Sequence, residues 1–397
     1  MESENVGWKS FKFWRYGENT MEPVGPIGII THQLNRTFAD NINSCLRRRR
    51  ENYVQDYPEL LNYPAYLRKD YRIEVDLSRF RTGEGKAKLL DDVRGHDLFI
   101  ITDVINDGTY MTRFGQTISL SPDDQYMDLI RLISATQGVA ARINVIMPYL
   151  YEGRRYQRQS RQSTDCAVML RQLFSFGISN FITYDAHDGR VANAVPRYNF
   201  ENFPTALQII ERMLEVMPDL QINSDKFMVI SPSETSISRA IYYATMMKVP
   251  LGTFYRIHER DDSVERGFLG DDVSGRDVII VDDLFDTGEA ILACANYLKE
   301  HGARRVIAVA TFPLFSDGLL AMNQAYDYGI IDKVFATNLI RIPRALFDAP
   351  WFVPVDMSEN LASVIDALNH EASLSKLLAP DARIHEILHS YSENLQA

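Results

Sequence analysis

Cysteine is scarce in this chain of 397 residues, which contains only Cys45, Cys166 and Cys294. The three lie far apart, and none has a CxxC partner of the kind that binds zinc or forms a redox pair. An odd number of widely spaced cysteines also argues against a disulfide framework. We therefore expect a protein of a reducing compartment, the cytoplasm.

Long apolar runs and an excess of basic residues are also missing. No apolar stretch approaches the ~20 residues that span a bilayer, and none follows the charged N-terminus. The 42 basic residues are outnumbered by 53 acidic ones, for a formal net charge of -11. Nucleic-acid binding needs a basic face, because it proceeds by release of counterions from phosphates. We expect no export, no membrane insertion and no nucleic-acid partner. For the basic run at residues 47–50 we expect a solvated helix face, with an anion or partner site as the alternative.

Short β-rich segments alternate with longer amphipathic ones along most of the sequence. This alternation predicts an α/β fold with parallel sheets. Unbroken Val and Ile runs indicate strands that are covered on both faces. The predicted strands are DLFIITDV, RINVIMPYL, NFITYDA, KFMVISP, DVIIVDD, RRVIAVATF and KVFATNL.

Two segments of the chain resemble each other without gaps. GHDLFIITDV at residues 95–104 aligns with GRDVIIVDDL at 275–284, and Gly108 then falls on Gly288. Each copy leads through a helical stretch to another strand, entered by Ala141-Arg142 in the first and Arg304-Arg305 in the second. We infer two similar domains related by duplication. The first copy has extra residues around 115–124 and holds Thr102 where the second holds Asp282, so we expect the chemistry on the second copy.

The domain organisation follows from this repeat and from the Pro- and Asn-containing connection VPRYNFENFP. We predict an N-terminal extension at residues 1–25, a first domain at 26–200, a second domain at 201–345 and a C-terminal helical segment at 346–397.

The stretch VIIVDDLFDTGEAI at residues 278–291 has the pattern of a phosphate site. In an open parallel sheet, a turn from strand to helix presents backbone N–H groups and the helix dipole to an anion. Asp286, Thr287 and Gly288 would form that turn, and Asp282 and Asp283 would accept hydrogen bonds from sugar hydroxyls or hold a metal ion. The plainer interpretation is a strand followed by acidic capping residues. Two adjacent carboxylates at a buried strand end are costly, which favours the phosphate site.

These segments, taken in order, resemble the ribose-phosphate pyrophosphokinase family, whose phosphoribosyl diphosphate signature is shared with type I phosphoribosyltransferases. The resemblance covers roughly residues 76–345 and implies two phosphoribosyltransferase-like domains. It rests on SRFRTGEGKAKLLDDVRGHDLFII, ARINVIMPYLYEGRRYQR, NFITYDAHDG, MVISPSETSISRA, RDVIIVDDLFDTGE and GARRVIAVATFPLFSDG.

The resemblance implies binding sites for ribose 5-phosphate, ATP and Mg²⁺. Ribose phosphate would be bound by the signature loop, where Glu289 stands in place of a frequent Gly and Ala290 in place of a hydroxyl residue. Losing one neutral hydrogen bond costs ~1 kcal/mol, which weakens such a site without abolishing it. The ATP residues would be Phe80, Glu84 and Arg154, and the magnesium ligand His187. The ribose-phosphate residues would be Asp282, Asp283, Asp286, Thr287 and Gly288.

Two further segments depart from the family pattern. Ser233 stands where the family usually has an Asp that organises magnesium and ribose, with Glu234 beside it. In FYRIHER, residues 254–260, Arg256 and His258 fall on positions of a Lys-Arg-Arg cluster that neutralises the transferring diphosphate, and Arg260 lies close by. Arg does not replace Lys freely, because its planar fork aims donors differently. We nevertheless assign Arg256, His258 and Arg260 as the catalytic cations.

Three functions remain open on the sequence. The first is a ribose-phosphate diphosphokinase, which would transfer diphosphate from ATP to ribose 5-phosphate and release AMP. The second is a catalytically impaired paralogue that binds nucleotides or phosphoribosyl compounds as a regulatory or structural subunit of an active paralogue. The third, a phosphoribosyltransferase, is disfavoured because it leaves the first domain without a purpose. The family's shared ATP site implies a homo-oligomer.

Overall fold

A computed structural model describes residues 22–32, 34–155, 160–258 and 264–396; the side chains of 256–258, 264–266 and 395–396 are outside the described part. The strands of the first half are β1 (Ile27–His32), β2 (Val75–Arg79), β3 (Gly85–Leu89), β4 (Asp97–Thr102), β5 (Tyr110–Arg113), β6 (Gln116–Ser119), β7 (Arg142–Ile146), β8 (Asn180–Tyr184) and β9 (Asn199–Phe203). The strands of the second half are β10 (Phe227–Ser231), β11 (Leu251–His258), β12 (Val264–Leu269), β13 (Asp277–Val281), β14 (Leu284–Phe285), β15 (Arg305–Ala310), β16 (Phe312–Pro313), β17 (Lys333–Thr337) and β18 (Phe352–Val355).

The helices lie between these strands and at the C-terminus. They are α1 (Arg36–Asp56), α2 (Pro122–Thr136), α3 (Asp165–Ser175), α4 (Ala206–Val216), α5 (Ile237–Met247), α6 (Glu289–Glu300), α7 (Leu320–Asp327), α8 (Arg344–Phe347), α9 (Ser358–Asn369), α10 (Ser375–Leu378) and α11 (Asp381–Gln396), with short 3₁₀ turns at Pro58–Asn62 and Gly189–Ala194. Within the described ranges, no helix is both long and apolar enough to cross a membrane.

The strands form two parallel sheets, as the alternating pattern predicts. The first has the order β1-β4-β7-β8-β9. The second has the order β12-β11-β10-β13-β15-β17-β18, in which only the pair β11 and β12 is antiparallel. The small hairpins β2-β3 and β5-β6 stand outside both sheets. The predicted α/β fold is thus confirmed.

The two copies of the repeat occupy equivalent places in the two sheets. β4 lies between β1 and β7, and β13 lies between β10 and β15. Asp97 of β4 is paired in register with Arg142, and Asp277 of β13 with Arg305. In both pairs the guanidinium donates to both carboxylate oxygens, at 2.8 and 2.7 Å in the first and 3.1 and 2.6 Å in the second. The gapless alignment therefore corresponds to a structural duplication.

An apolar core shared by both sheets joins the two halves. Phe99 and Ile101 of β4 pack into it from one side and Ile279 and Val281 of β13 from the other. The alternate residues of each strand pack into separate outer cores, because successive side chains of a strand point to opposite faces. Each sheet is consequently covered on both faces, which explains the unbroken apolar runs.

The sheets do not end at the predicted domain boundaries. The first sheet runs to Phe203, three residues beyond the boundary placed at 200, because its edge strand is part of the connection read as a linker. The second sheet takes its last strand, Phe352–Val355, from the segment predicted to be helical. The division into domains at those residues stays a prediction.

The basic run of α1 is largely structural. Arg48 and Arg49 bind Glu359 of α9 at 2.5 and 3.1 Å, and Arg50 donates to Asp366 of α9 at 3.2 Å. The Arg50 side chain is 0% exposed. The solvated face expected for this run is therefore wrong for Arg49 and Arg50, because acidic partners come from α9, far away in the sequence.

Candidate active site

The loop after β13 has the local geometry of an anion site. Asp282 and Asp283 follow the strand directly, and β14 pairs with β16 to fix the residues that come next. Gly288 is the N-terminal cap of α6 and has φ +84°, a conformation that other residues adopt only at a steric cost. The backbone N–H groups of Thr287 and Gly288 thus lie at the start of a helix, where the dipole favours an anion. Glu289 is exposed in the first turn of that helix.

Asp283 is held by two cationic side chains. It is 6% exposed and accepts a hydrogen bond from His187 Nδ1 at 2.9 Å, while Arg239 Nη1 lies 3.5 Å from its other oxygen. Burial alone would raise the pKa of Asp283, but His187 and Arg239 outweigh it and lower that pKa well below its usual range. The hydrogen bond to Asp283 in turn raises the pKa of His187 against the effect of its own burial. Asp283 is accordingly a carboxylate at neutral pH.

Asp282 lies in the opposite electrostatic situation. Its burial and the negative charge of Asp283 raise its pKa, although Ser236 Oγ donates to its Oδ1 at 2.7 Å and the Asp283 N–H at 2.9 Å. The structure thus stabilises the negative charge of Asp283, whereas burial and the neighbouring Asp283 disfavour the negative charge of Asp282. Such a pair favours a cation, a metal ion or the hydroxyl groups of a sugar as a ligand.

Ser233 is connected to this pair through a chain of hydroxyl groups. Its Oγ lies 2.8 Å from Thr235 Oγ1 and 3.1 Å from Ser236 Oγ, and Ser236 bonds Asp282. Where the family resemblance leads us to expect an Asp, this chain therefore has Ser233 in a network of neutral hydroxyl groups that ends on Asp282.

Arg154 and His187 reach the loop from the first half of the chain. Arg154 Nη2 donates to Asp286 Oδ2 at 3.0 Å, and Ser316 Oγ donates to the other oxygen at 2.7 Å. Ser316 and Arg154 lower the pKa of Asp286 although burial opposes them. A small cavity between the two halves is lined by four charged or titratable residues and by small, apolar and aromatic ones; the former are Arg154, Asp185, His187 and Asp283. The fold thus brings together residues that are 96 positions apart in the sequence, for His187 and Asp283, and 132 apart, for Arg154 and Asp286.

Asp185 and Arg239 are site residues that the sequence reasoning missed. Asp185, two residues before His187, has φ +38° and accepts hydrogen bonds from Thr205 at 2.5 Å and Thr311 at 2.6 Å. Arg239 donates to the Asp185 carbonyl at 3.3 Å while it faces Asp283. The YDAHD segment offered a signal for Asp185, since it repeats the carboxylate after a strand. Arg239 carried none, because one Arg on an amphipathic helix is unremarkable in a sequence.

Phe80 and Glu84 lie elsewhere, in the turn between β2 and β3. The Phe80 N–H donates to the Glu84 carbonyl at 2.8 Å, and the Phe80 ring is 57% exposed. Neither residue is among those that line the cavity around His187. The structure therefore does not bring these two residues to the site of their own chain.

Two of the three predicted catalytic cations, Arg256 and His258, belong to β11, which pairs with β12. Arg256 pairs in register with Arg266, and His258, the last residue of β11, with Val264. β11 is the sheet neighbour of β10, the strand that leads to Ser233. Arg260 lies outside the described residues, as do the side chains of Arg256 and His258.

The first copy of the loop serves a structural purpose. Thr102 Oγ1 is hydrogen-bonded to His32 Nδ1 at 2.7 Å, and Asp103 accepts the backbone N–H of Arg341 at 2.7 Å. Burial raises the pKa of Asp103 to about 7. In the first copy, Asp103 thus forms a contact between the two halves. This agrees with our expectation that the chemistry takes place at the second copy.

Two parallel sheets of duplicated design, with a carboxylate pair and a helix N-terminus at the end of a central strand, define a phosphoribosyltransferase-like α/β protein. A family model for the N-terminal domain of ribose phosphate pyrophosphokinase matches residues 27–177, and one for the phosphoribosyl synthetase-associated domain matches residues 267–379. The chain belongs to the ribose-phosphate pyrophosphokinase family.

The alignments with similar proteins cover most of this chain. A ribose-phosphate pyrophosphokinase of Shewanella oneidensis is 29% identical over 309 residues, covering 76% of this chain and 90% of that protein. One from Vibrio parahaemolyticus is 29% identical over 311 residues, covering 77% and 90%. The crystal structure of phosphoribosylpyrophosphate synthetase from Mycobacterium smegmatis has a TM-score of 0.68 at 19% identity, over 87% of this chain and 100% of that one. At that identity the structural likeness supports the shared fold.

Proposed function

We propose that this protein transfers the diphosphate group of ATP to the C1 hydroxyl of ribose 5-phosphate. The hydroxyl oxygen forms a bond to the β-phosphorus, the bond from that phosphorus to the bridging α–β oxygen breaks, and AMP leaves. The products are phosphoribosyl diphosphate and AMP, and the hydroxyl proton is released. Catalysis of such a step consists mainly of positioning and neutralisation of charge.

The observation that carries this proposal is that two carboxylates of the second half, Asp283 and Asp286, are bonded to cationic groups of the first half. Asp283 is bonded to His187 at 2.9 Å, and Asp286 to Arg154 at 3.0 Å. A phosphoribosyltransferase needs a phosphate loop but no second domain that delivers an Arg and a His to it. A two-substrate reaction between the domains accounts for both halves of the site.

Each residue of the loop has a separate task in this proposal. Asp282 and Asp283 accept hydrogen bonds from the ribose hydroxyls, and the backbone N–H groups of Asp286, Thr287 and Gly288 bind the 5-phosphate. Asp286 is bound to Arg154, so binding of sugar phosphate and of ATP is coupled through this ion pair. Ser236 and Arg239 hold the two carboxylates in place.

Mg²⁺ is the cofactor that this reaction requires, and the donor set suits it in part. No cluster of three or more ligand-type side chains occurs in the part of the chain that is described. Mg²⁺ characteristically binds through one or two carboxylates, substrate phosphates and water, so Asp283 fits as the protein's carboxylate ligand. His187, the ligand that the family resemblance implies, is bonded to that carboxylate through Nδ1 and would hold the ion through its other ring nitrogen. When bound, the ion would neutralise charge on the phosphates of ATP.

The exposed β2-β3 turn suggests how ATP is held. Phe80 offers a ring face for stacking with adenine, and Glu84 an acceptor for its amino group. Because neither lines the cavity of its own chain, we assign them to the site of a neighbouring copy in a homo-oligomer of the cytoplasm. Arg256 and His258 of β11, together with Arg260, would neutralise the diphosphate as it is transferred.

The test is an assay of purified protein with ATP, Mg²⁺ and ribose 5-phosphate. We expect AMP and phosphoribosyl diphosphate to appear in equal amounts. The control variants are Asp282→Ala, which should abolish both products, and Asp271→Ala, an exposed carboxylate before β13, which should abolish neither. AMP release no greater than that of Asp282→Ala would refute the proposal.

A double variant tests the two departures from the family pattern. Ser233→Asp with Arg256→Lys restores a carboxylate beside the Ser236 hydroxyl and a compact ammonium on β11. We expect turnover to rise, because each preorganised charge facing the transferring group is worth several kcal/mol. An unchanged rate would mean that the hydroxyl network and Arg256 already do this work.

A further inference from the structure

The extra residues of the first domain form a hairpin with an exposed aromatic tip. β5 and β6 are joined by Phe114 and Gly115, with φ +48° and +77°. A two-residue turn with both φ values positive favours Asn, Asp or Gly, since other side chains are strained there. Phe114 occupies it nevertheless, and its ring is 85% exposed. Backbone strain of this kind clusters at binding sites, so Phe114 is a candidate for contact with a ligand.

The hairpin lies against the turn that carries Phe80 and Glu84. Gly83, in that turn, packs on the side chain of Arg113: a methyl group added to Gly83 would lie 3.4 Å from Arg113 Cδ and 4.0 Å from Cζ. The Arg113 guanidinium carbon is also 5.4 Å from the centre of the Phe114 ring. The Arg113 side chain therefore lies beside both the Phe114 ring and the turn that carries Phe80.

The chemistry of this surface suits a nucleotide. Phe80 and Phe114 offer ring faces that stack with a base, and base-aromatic stacking is sequence-tolerant and strong. In the described ranges, no carboxylate lies within ion-pair distance of Arg113, so its charge is available for a phosphate.

We propose that the inserted hairpin is part of the ATP site, in which Arg113 and Phe114 determine the affinity for the nucleotide. This inference rests on the proposed function, which assigns Phe80 and Glu84 to adenine. The hairpin enlarges that site by a second ring and a cation. The affinity for ribose 5-phosphate, which binds at the other half of the chain, does not depend on it.

The test uses Phe114→Asn and Arg113→Gln in the full chain, with Arg94→Gln, an exposed Arg elsewhere in the first domain, as the control. Asn suits the turn better than Phe, so Phe114→Asn should fold at least as well as the parent. We expect the KM for ATP and the calorimetric Kd of ATP to rise about tenfold in both variants, the scale of one lost stacking or ionic contact. The KM for ribose 5-phosphate should stay unchanged, as should every value for Arg94→Gln.

The binding measurement separates this inference from the function it rests on. If the parent binds ATP but releases no AMP, the proposed function fails, and a weaker Kd in the two variants still supports the hairpin's role. Unchanged ATP binding in both variants overturns the inference even where the parent turns over normally. An altered sedimentation coefficient of Phe114→Asn with unchanged Kd would overturn it in favour of a subunit contact. A parent that binds no ATP overturns both.

Discussion

Replacing Asp282 by Asn should stabilise the metal-free protein while it removes activity. Asp282 Oδ1 accepts hydrogen bonds from Ser236 and from the Asp283 N–H, and the amide oxygen of Asn can accept both. The substitution changes almost nothing in shape. It removes the negative charge that burial and Asp283 disfavour.

The size of the effect follows from the shift in pKa. Each unit by which folding raises the pKa of a carboxyl costs ~1.4 kcal/mol once the group is ionised. His187 and Arg239 offset part of the charge in this region, so we expect a gain in the free energy of unfolding of about 1–2 kcal/mol at pH 8.

The gain must depend on pH with a definite sign. A carboxyl whose pKa is raised in the folded state binds a proton more readily there than in the unfolded chain. Between the two pKa values the stability of the parent therefore falls as pH rises, and above the folded value the loss is complete. The advantage of Asp282→Asn should accordingly be largest at pH 8 and shrink toward pH 5.

The assay is chemical denaturation in EDTA at several pH values, beside turnover with Mg²⁺. Asp286→Asn is the matched control, because Ser316 and Arg154 lower the pKa of Asp286 and its neutralisation should cost stability. That cost should stay below about 1 kcal/mol, since the Asp286 side chain is 40% exposed and solvent screens its ion pair with Arg154. A destabilised Asp282→Asn, or a gain that does not vary with pH, would refute the electrostatic reasoning.

Other perturbations have equally definite outcomes. His187→Asn should lower the stability of the metal-free protein at pH 6 more than at pH 8.5. Because folding raises the pKa of His187, its protonation stabilises the fold below the pKa of the unfolded state, and this contribution is lost as the pH rises through the pKa of the folded state. Denaturation at the two pH values measures the difference. Arg50→Met should lose about 3–5 kcal/mol of unfolding free energy, since it leaves Asp366 buried without its main partner, whereas Arg47→Met, at an exposed Arg of the same helix, should lose less than about 1 kcal/mol. Similar losses in both would show that α1 and α9 are not held by the buried pair. Ala290→Thr restores a hydroxyl at the phosphate loop and should lower the KM for ribose 5-phosphate about fivefold, by ~1 kcal/mol, with the KM for ATP unchanged; an unchanged KM for the sugar would indicate that the backbone donors suffice.

The sequence predicted those features that repeat or that follow a period. The duplicated strands were accessible because the same pattern occurs twice, and the structure adds the pairing of Asp97 with Arg142 and of Asp277 with Arg305. Asp282 and Asp283 were accessible because they end an apolar run. The family resemblance then added His187 and Arg154, which meet the loop as a shared site requires.

The contacts that join distant segments could not be predicted from the sequence. Arg239 faces Asp283, and Asp185 joins Thr205 to Thr311, through single polar contacts that impose no periodicity on the sequence. The burial of Arg50 depends on Asp366 of α9, and a run of four arginines is more simply explained by solvent. The boundary that we predicted at residue 200 falls inside β9, because a polar edge strand, NFENF, reads as a loop.

The central claim is that a diphosphate group moves intact to the sugar, and labelled ATP tests it most directly. With ATP labelled at the β-phosphorus, the account predicts that the label appears in phosphoribosyl diphosphate, in an amount equal to the AMP released, and that Asp282→Ala transfers none. Label recovered in ADP, or AMP formed without labelled sugar product, would contradict the account.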